Sequence, residues 1–127
     1  MTASFLNVDL ILESSSSLEG IAAEVATSAV VLFSGRMKKR GRHFLILEVG
    51  RDYRNPDATI RALCRVVEKL SASSRRSFAR ARSTFDIGFE LGRNERASSF
   101  TLRCDTLQRI VRIGGTVGVT YYLRDTE

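Results

Sequence analysis

The chain has 127 residues, 43% of them apolar and 27% charged, which is the composition of one globular domain and excludes a disordered chain. Its net charge of +6 biases the surface towards anionic partners without informing the fold. No apolar run reaches the ~20 residues of a membrane helix and the start lacks a basic signal-peptide stretch, so no membrane partner and a cytoplasmic location are expected.

The first predicted strand, Leu6 to Glu13, alternates cleanly. Leu6, Val8, Leu10 and Leu12 share one face, while Asn7, Asp9, Ile11 and Glu13 share the other, as in a sheet covered on one side. Serines 14 to 17 punctuate, and Leu18, Ile21, Ala22 and Val25 then follow at helical spacing. Ser28 to Phe33 is a valine-rich strand. The densest charge follows it, in Arg36-Met37-Lys38-Lys39-Arg40-Gly41-Arg42, with the composition of a hairpin connection or a mobile loop. His43 to Val49 is apolar on both faces and reads as a central or covered strand.

Asn55-Pro56-Asp57 predicts a helix start: a capping Asn, a Pro in the first turn and an acid near the positive end. Ile60, Leu63, Cys64, Val67 and Leu70 then form one apolar stripe, so Cys64 is expected to be a buried, inert thiol. Ser71 to Ser74 should break that helix, with a further turn or two over Arg75 to Arg82. Thr84 to Leu91 is a strand with Phe85, Ile87, Phe89 and Leu91 inward. The polar stretch Gly92 to Arg96 is expected to turn it into an antiparallel hairpin with Phe100 to Arg103. Asp105 is the expected N-cap of a helix buried through Leu107, Ile110 and Val111, and Gly114 its left-handed C-cap. Val117, Val119, Tyr121 and Leu123 are expected to close the sheet from inside.

Laid over the start of the chain at an offset of eighty-nine residues, this last unit puts Leu107 on Leu18, Ile110 on Ile21, Thr116 on Thr27 and Val119 on Val30. Strand–helix–strand units at both ends predict a single α+β domain over residues 1–127. Its sheet is mostly antiparallel, of five to six strands, with two to three helices on one face, a ferredoxin-like pattern and a weak internal repeat.

The stretch from Phe85 to Leu123 contains Ser99-Phe100-Thr101-Leu102, then a Leu107-Gln108-Arg109-Ile110-Val111 helix ending in Gly114-Gly115, then Val117-Gly118-Val119-Thr120-Tyr121-Tyr122. It resembles the C-terminal half of a bacterial family of short α/β domains of unknown function. There, F-x-L-S-P-E-L-L-x-R-L-A-x-L-G leads into a final strand. The chain departs from that pattern in lacking a Trp at the third strand, where Phe44 is nearest, and a Pro before the last helix. The resemblance implies a bacterial source and permits a toxin-neutralising role.

No catalytic set is legible. His43 stands alone, Cys64 and Cys104 form no metal-ligand spacing, and Cys104 reads as a half-buried bystander. Gly114-Gly115 ends a helix, whereas a phosphate cradle opens one. No cofactor is expected. The candidate binding residues are Arg36, Lys38, Lys39, Arg40 and Arg42, against which stands their reading as a solvated loop tip. The chain is therefore expected to be a non-catalytic protein-interaction domain with an acidic partner, as a monomer or a homodimer through sheet edges. Two alternatives are non-specific nucleic-acid or phosphate binding through residues 36–42, and small-molecule sensing by a dimer. Four carboxylates among the outward sheet residues speak against a base-stacking surface.

Overall fold

The alternating run that opens the chain becomes β1 (Ser4–Ser14), and the sheet is assembled around it. A computed structural model describes residues 4–37, 41–50, 53–91 and 99–123. The elements after β1 are α1 (Glu19–Val25), β2 (Val30–Met37), β3 (Arg42–Glu48), α2 (Pro56–Glu68), α3 (Ala72–Arg80), β4 (Arg82–Leu91), α4 (Cys104–Arg112) and β5 (Gly115–Leu123). The strands lie in the order β2-β3-β1-β4-β5. β1 pairs antiparallel with β3 and β4, β2 pairs antiparallel with β3, and β5 runs parallel to β4. The result is an α+β fold with a mixed five-stranded sheet. Its first four strands are roughly ferredoxin-like, and β5 is the extra strand beyond β4.

Period two decides which face of the sheet is dry. Val8, Leu10 and Leu12 of β1 are fully buried, opposite Leu45 and Leu47 on one side and Phe85 and Ile87 on the other. The helices cover this face through Ile21 and Val25 of α1, Ile60 and Leu63 of α2, Phe78 of α3 and Ile110 of α4.

The helices are fastened at their ends. Asn55 caps α2 by accepting from the Ala58 N–H at 2.8 Å, with Pro56 in the first turn. α3 is capped twice. Ser71 accepts from the Ser74 N–H, and the Glu24 carboxylate of α1 accepts from the Ser71 N–H and, at 2.6 Å, from the Ser74 hydroxyl. The Ser74 hydroxyl, followed by the Ser71 N–H, holds Glu24 below the usual carboxylate range. Arg109 of α4 donates in bidentate fashion to Glu68 of α2 at 2.6 and 3.0 Å, tying the two helices side by side.

Several expectations are corrected. A register shift between Phe5 and Asn7 turns Leu6 out to solvent and lets Phe5 pack against the core. α3 starts earlier than expected, because Ser71 is its cap rather than part of a break. The described residues hold four helices, not two to three. Residues 99–103 form no strand, so the hairpin with β4 is absent (most of its turn, 92–98, lies outside the described residues). β4 has β1 on one edge and β5 on the other, and Phe100 stacks on Phe89 instead, with ring centroids 5.3 Å apart. The N-cap of α4 is Arg103, whose N–H donates to Asp57 of α2 at 2.8 Å; Asp105 sits in the first turn.

Gly114 adopts φ +76° and ends α4 as expected. Gly115 has a different reason to be bare. A Cβ there would lie 2.9 Å from the Phe85 ring and 3.3 Å from Ile110 Cγ2, so the chain enters β5 only by touching the core directly. Gly115→Ala is expected to cost about 1–3 kcal/mol through this overpacking. Gly118→Ala, which meets only ordinary contacts at 3.5 Å, is expected to leave stability unchanged or raised. Urea unfolding of the two variants checks the contrast.

Candidate functional site

The basic segment is a β-hairpin. β2 runs on to Met37 and β3 begins at Arg42, with Arg36 opposite His43 and Met37 opposite Arg42. The Gly41 N–H closes the turn on the Met37 carbonyl at 2.9 Å, with Gly41 at φ +64°. Lys38, Lys39 and Arg40 lie outside the described residues. Arg36 and Arg42 sit at the base of the hairpin on opposite faces of the sheet, Arg36 with His43 and Arg42 with Met37 on the open face, where the Arg42 guanidinium meets the Glu13 carboxylate of β1 at 2.8 Å.

What the sequence leaves out of this site is apolar. β2 is an edge strand, and Val30, Leu32, Phe33 and Met37 are all exposed large hydrophobic residues. The register places Val30, Phe33 and Met37 on the open face, next to half-buried Phe44 and Ile46 of β3. A shift in register between Val31 and Phe33 breaks the alternation here. β2 therefore offers an edge with no strand partner among the described residues and apolar side chains along one line, ending in cations.

The opposite edge is also bare. Val117, Val119, Tyr121 and Leu123 of β5 point to the helix side of the sheet, as expected, but all four are exposed, with no helix among the described residues covering them. Leu107 and Val111 of α4, also expected in the core, are exposed as well; Thr106 and Ile110 carry the buried side of that helix. Cys104 is exposed rather than half-buried. Cys64 is buried, and burial pushes its thiol up to about 11, so it is protonated at neutral pH.

The middle of the open face is acidic. Asp9 of β1 lies directly opposite Asp86 of β4, with Glu48 of β3 near by. Asn7 bridges Asp9 and Glu48, donating at 3.2 and 2.6 Å, and the Thr120 hydroxyl donates to Asp86 at 2.7 Å. Desolvation, then Glu48 and Asp86, raises the Asp9 carboxyl above its ordinary value. Among the described residues no three His, Cys, Asp or Glu side chains are grouped to hold a metal. A cleft of about 530 Å³ opens where β1, β3 and β5 end beside α2, with Asn7, Glu48, Tyr53, Thr59 and Tyr122 supplying its polar groups. No helix among the described residues is long and apolar enough to cross a membrane.

The Asp9–Asp86 juxtaposition gives a pH test. Because the folded pKa of Asp9 is raised above its unfolded value, its ionised form opposes folding, and stability is lost as pH rises through the folded pKa. Asp9→Asn is expected to raise stability at pH 7 by about 0.5–1 kcal/mol, the scale of a like-charge cross-strand pair. The gain should vanish near pH 3, where both folded and unfolded Asp9 are protonated. Denaturant unfolding at the two pH values checks it. Compared with known protein families, with curated proteins and with solved structures, the chain matches none.

Proposed function

We propose that this chain is a non-catalytic protein-interaction domain whose β2 edge takes up an acidic, partly apolar segment of another protein as an added strand. The observation that carries this is the exposed open-face row Val30, Phe33 and Met37, with Leu32 exposed at the register shift beside it, on an edge strand that runs straight into the basic hairpin. Main-chain hydrogen bonds along β2 would give affinity, and contact with Phe33 and Phe44 on the open face would select alternate side chains. Arg36, Arg42 and, by sequence, Lys38, Lys39 and Arg40 favour carboxylates at one end of that segment. An apolar row with a charged rim has the anatomy of an interface rather than of a solvated tip.

A second reading, single-stranded nucleic acid laid over the open face, draws on Phe33 and Phe44 beside the same cations. The five carboxylates Asp9, Glu13, Glu48, Asp86 and Glu90 on that face oppose it. Arg42, already paired with Glu13, is a weakened phosphate contact.

Selection of displayed random ten-residue peptides against the protein is expected to enrich acidic sequences with alternating apolar residues. Phe33→Glu should weaken the recovered peptides at least tenfold, at unchanged thermal stability. Peptides without acidic bias, or indifferent to Phe33→Glu, would remove the proposal. Labelled oligouridine that binds with a steep salt slope, lost in the Phe44→Ala variant, would establish the second reading instead.

A further inference from the structure

β5 ends the sheet on the side away from β2, and it is built unlike a protected edge. Natural edge strands are blunted by charges, prolines, bulges or brevity. The nine residues Gly115–Leu123 contain no charge and no proline. They pair with β4 in unbroken register from Ser83 opposite Gly115 to Leu91 opposite Leu123, whereas the β1–β4 and β2–β3 pairings each carry a shift. Val119 is 42%, Tyr121 57% and Leu123 83% exposed, all on the helix side.

The flank of α4 continues this apolar strip one layer up. At about 100° per residue, Thr106, Ile110 and Ile113 define the arc facing the core. Arg109 falls about 60° to one side of that arc, where Glu68 of α2 holds it. Leu107 and Val111 consequently fall on the other side, away from α2 and towards the outer edge of β5, which has no strand neighbour among the described residues. Val111 is 74% exposed.

We propose that two copies of this chain associate about a two-fold axis by antiparallel pairing of their β5 strands. The two sheets become one continuous sheet, and the two α4 flanks meet above the join. The pairing is a second interaction surface, opposite the β2 edge and independent of what binds there. The occupant follows from the shape of the surface. An extended peptide would satisfy the backbone of β5 and leave Leu107 and Val111 bare. A second copy brings a strand and a helix in the same two layers, and an edge turned through a two-fold axis is complementary to itself.

Charge permits it as well. At +6 two copies repel overall, yet β5 carries no cation, Arg109 is neutralised by Glu68, and the helical spacing turns Arg112 to the far side of α4. A nine-residue strand is about 30 Å long, and with the helix layer the surface is about 600 Å² per copy, near the lower end of specific interfaces. A surface this small makes a concentration-dependent dimer, best sampled across the micromolar range.

Sedimentation of the full chain between about 1 and 200 µM, a range that brackets micromolar affinity, tests the proposal. The mass is expected to rise from 14.2 kDa towards twice that value. The doubly substituted Val119→Lys/Tyr121→Lys chain should stay at the lower mass, with association weakened at least tenfold and an unchanged circular dichroism spectrum. Val30→Lys/Phe33→Lys, on the other edge, should dimerise like the parent, which separates this surface from the one proposed for partner uptake. Amide exchange in β5 of the unmodified chain should slow with concentration, a readout that no variant's misfolding can affect. A parent chain monomeric throughout, β5 exchange indifferent to concentration, or a dimer lost on the β2 edge instead would overturn the proposal.

Discussion

A β-strand has two hydrogen-bonding edges, and much of this molecule follows from how β4 fills its own. β1 takes one edge antiparallel and β5 takes the other parallel. A parallel neighbour cannot be reached by a tight turn, so the chain must cross over the sheet and come back, and α4 is that crossover. Residues 99–103 are left with no strand to pair with, and Phe100 becomes a lid on Phe89 rather than a rung of the ladder. The crossover also fixes where α4 can sit. It lies against α2 through the Arg109–Glu68 pair, with no further helix among the described residues on its outer flank.

This explains which parts of the fold were legible in the sequence. β1, α2 and β4 alternate or repeat because each has one covered and one open side, and period alone reveals that. The C-terminal strand was legible as a strand, and its inward face was assigned correctly. Period cannot say whether a layer lies over that face, and here Val117, Val119, Tyr121 and Leu123 are left exposed. The similarity between the two ends of the chain misleads for the same reason. Leu18 and Leu107 match in letter, but α1 is flanked by β2 and α3, whereas among the described helices α4 packs beside α2 with its other flank open, so Leu18 is buried and Leu107 is exposed. A cue was present in α4 itself: Thr106, Leu107, Ile110, Val111 and Ile113 span an arc wider than one contact with the sheet can bury.

The candidate site was legible in half. Its cations are conspicuous in any charge count, and the glycine among them marks a turn. Its apolar half is legible only as a valine-rich strand, a composition that suits a central strand and an edge alike. Only the strand order shows that β2 is an edge, and strand order is set by contacts between residues far apart in sequence. The bulge between Phe5 and Asn7 was hidden in the same way, since it exchanges two apolar residues, Phe5 and Leu6, without altering composition.

The two tyrosines near the end of β5 are neighbours in sequence and face opposite sides of the sheet. Tyr121 stacks on Phe89 among the helix-side residues, with ring centroids 5.9 Å apart. Tyr122 lies across the bare Cα of Gly88, 3.6 Å from where a methyl would be, and forms one wall of the cleft beside Asn7 and Glu48. A molecule settling in that cleft and a chain docking along β5 would therefore press on the two faces of one peptide segment. Thermodynamic reciprocity then applies: whatever free energy the first gains or loses from the second, the second gains or loses from the first. The alternation of a single strand, with glycine beneath one ring and phenylalanine beneath the other, gives the cleft and the edge one peptide segment in common.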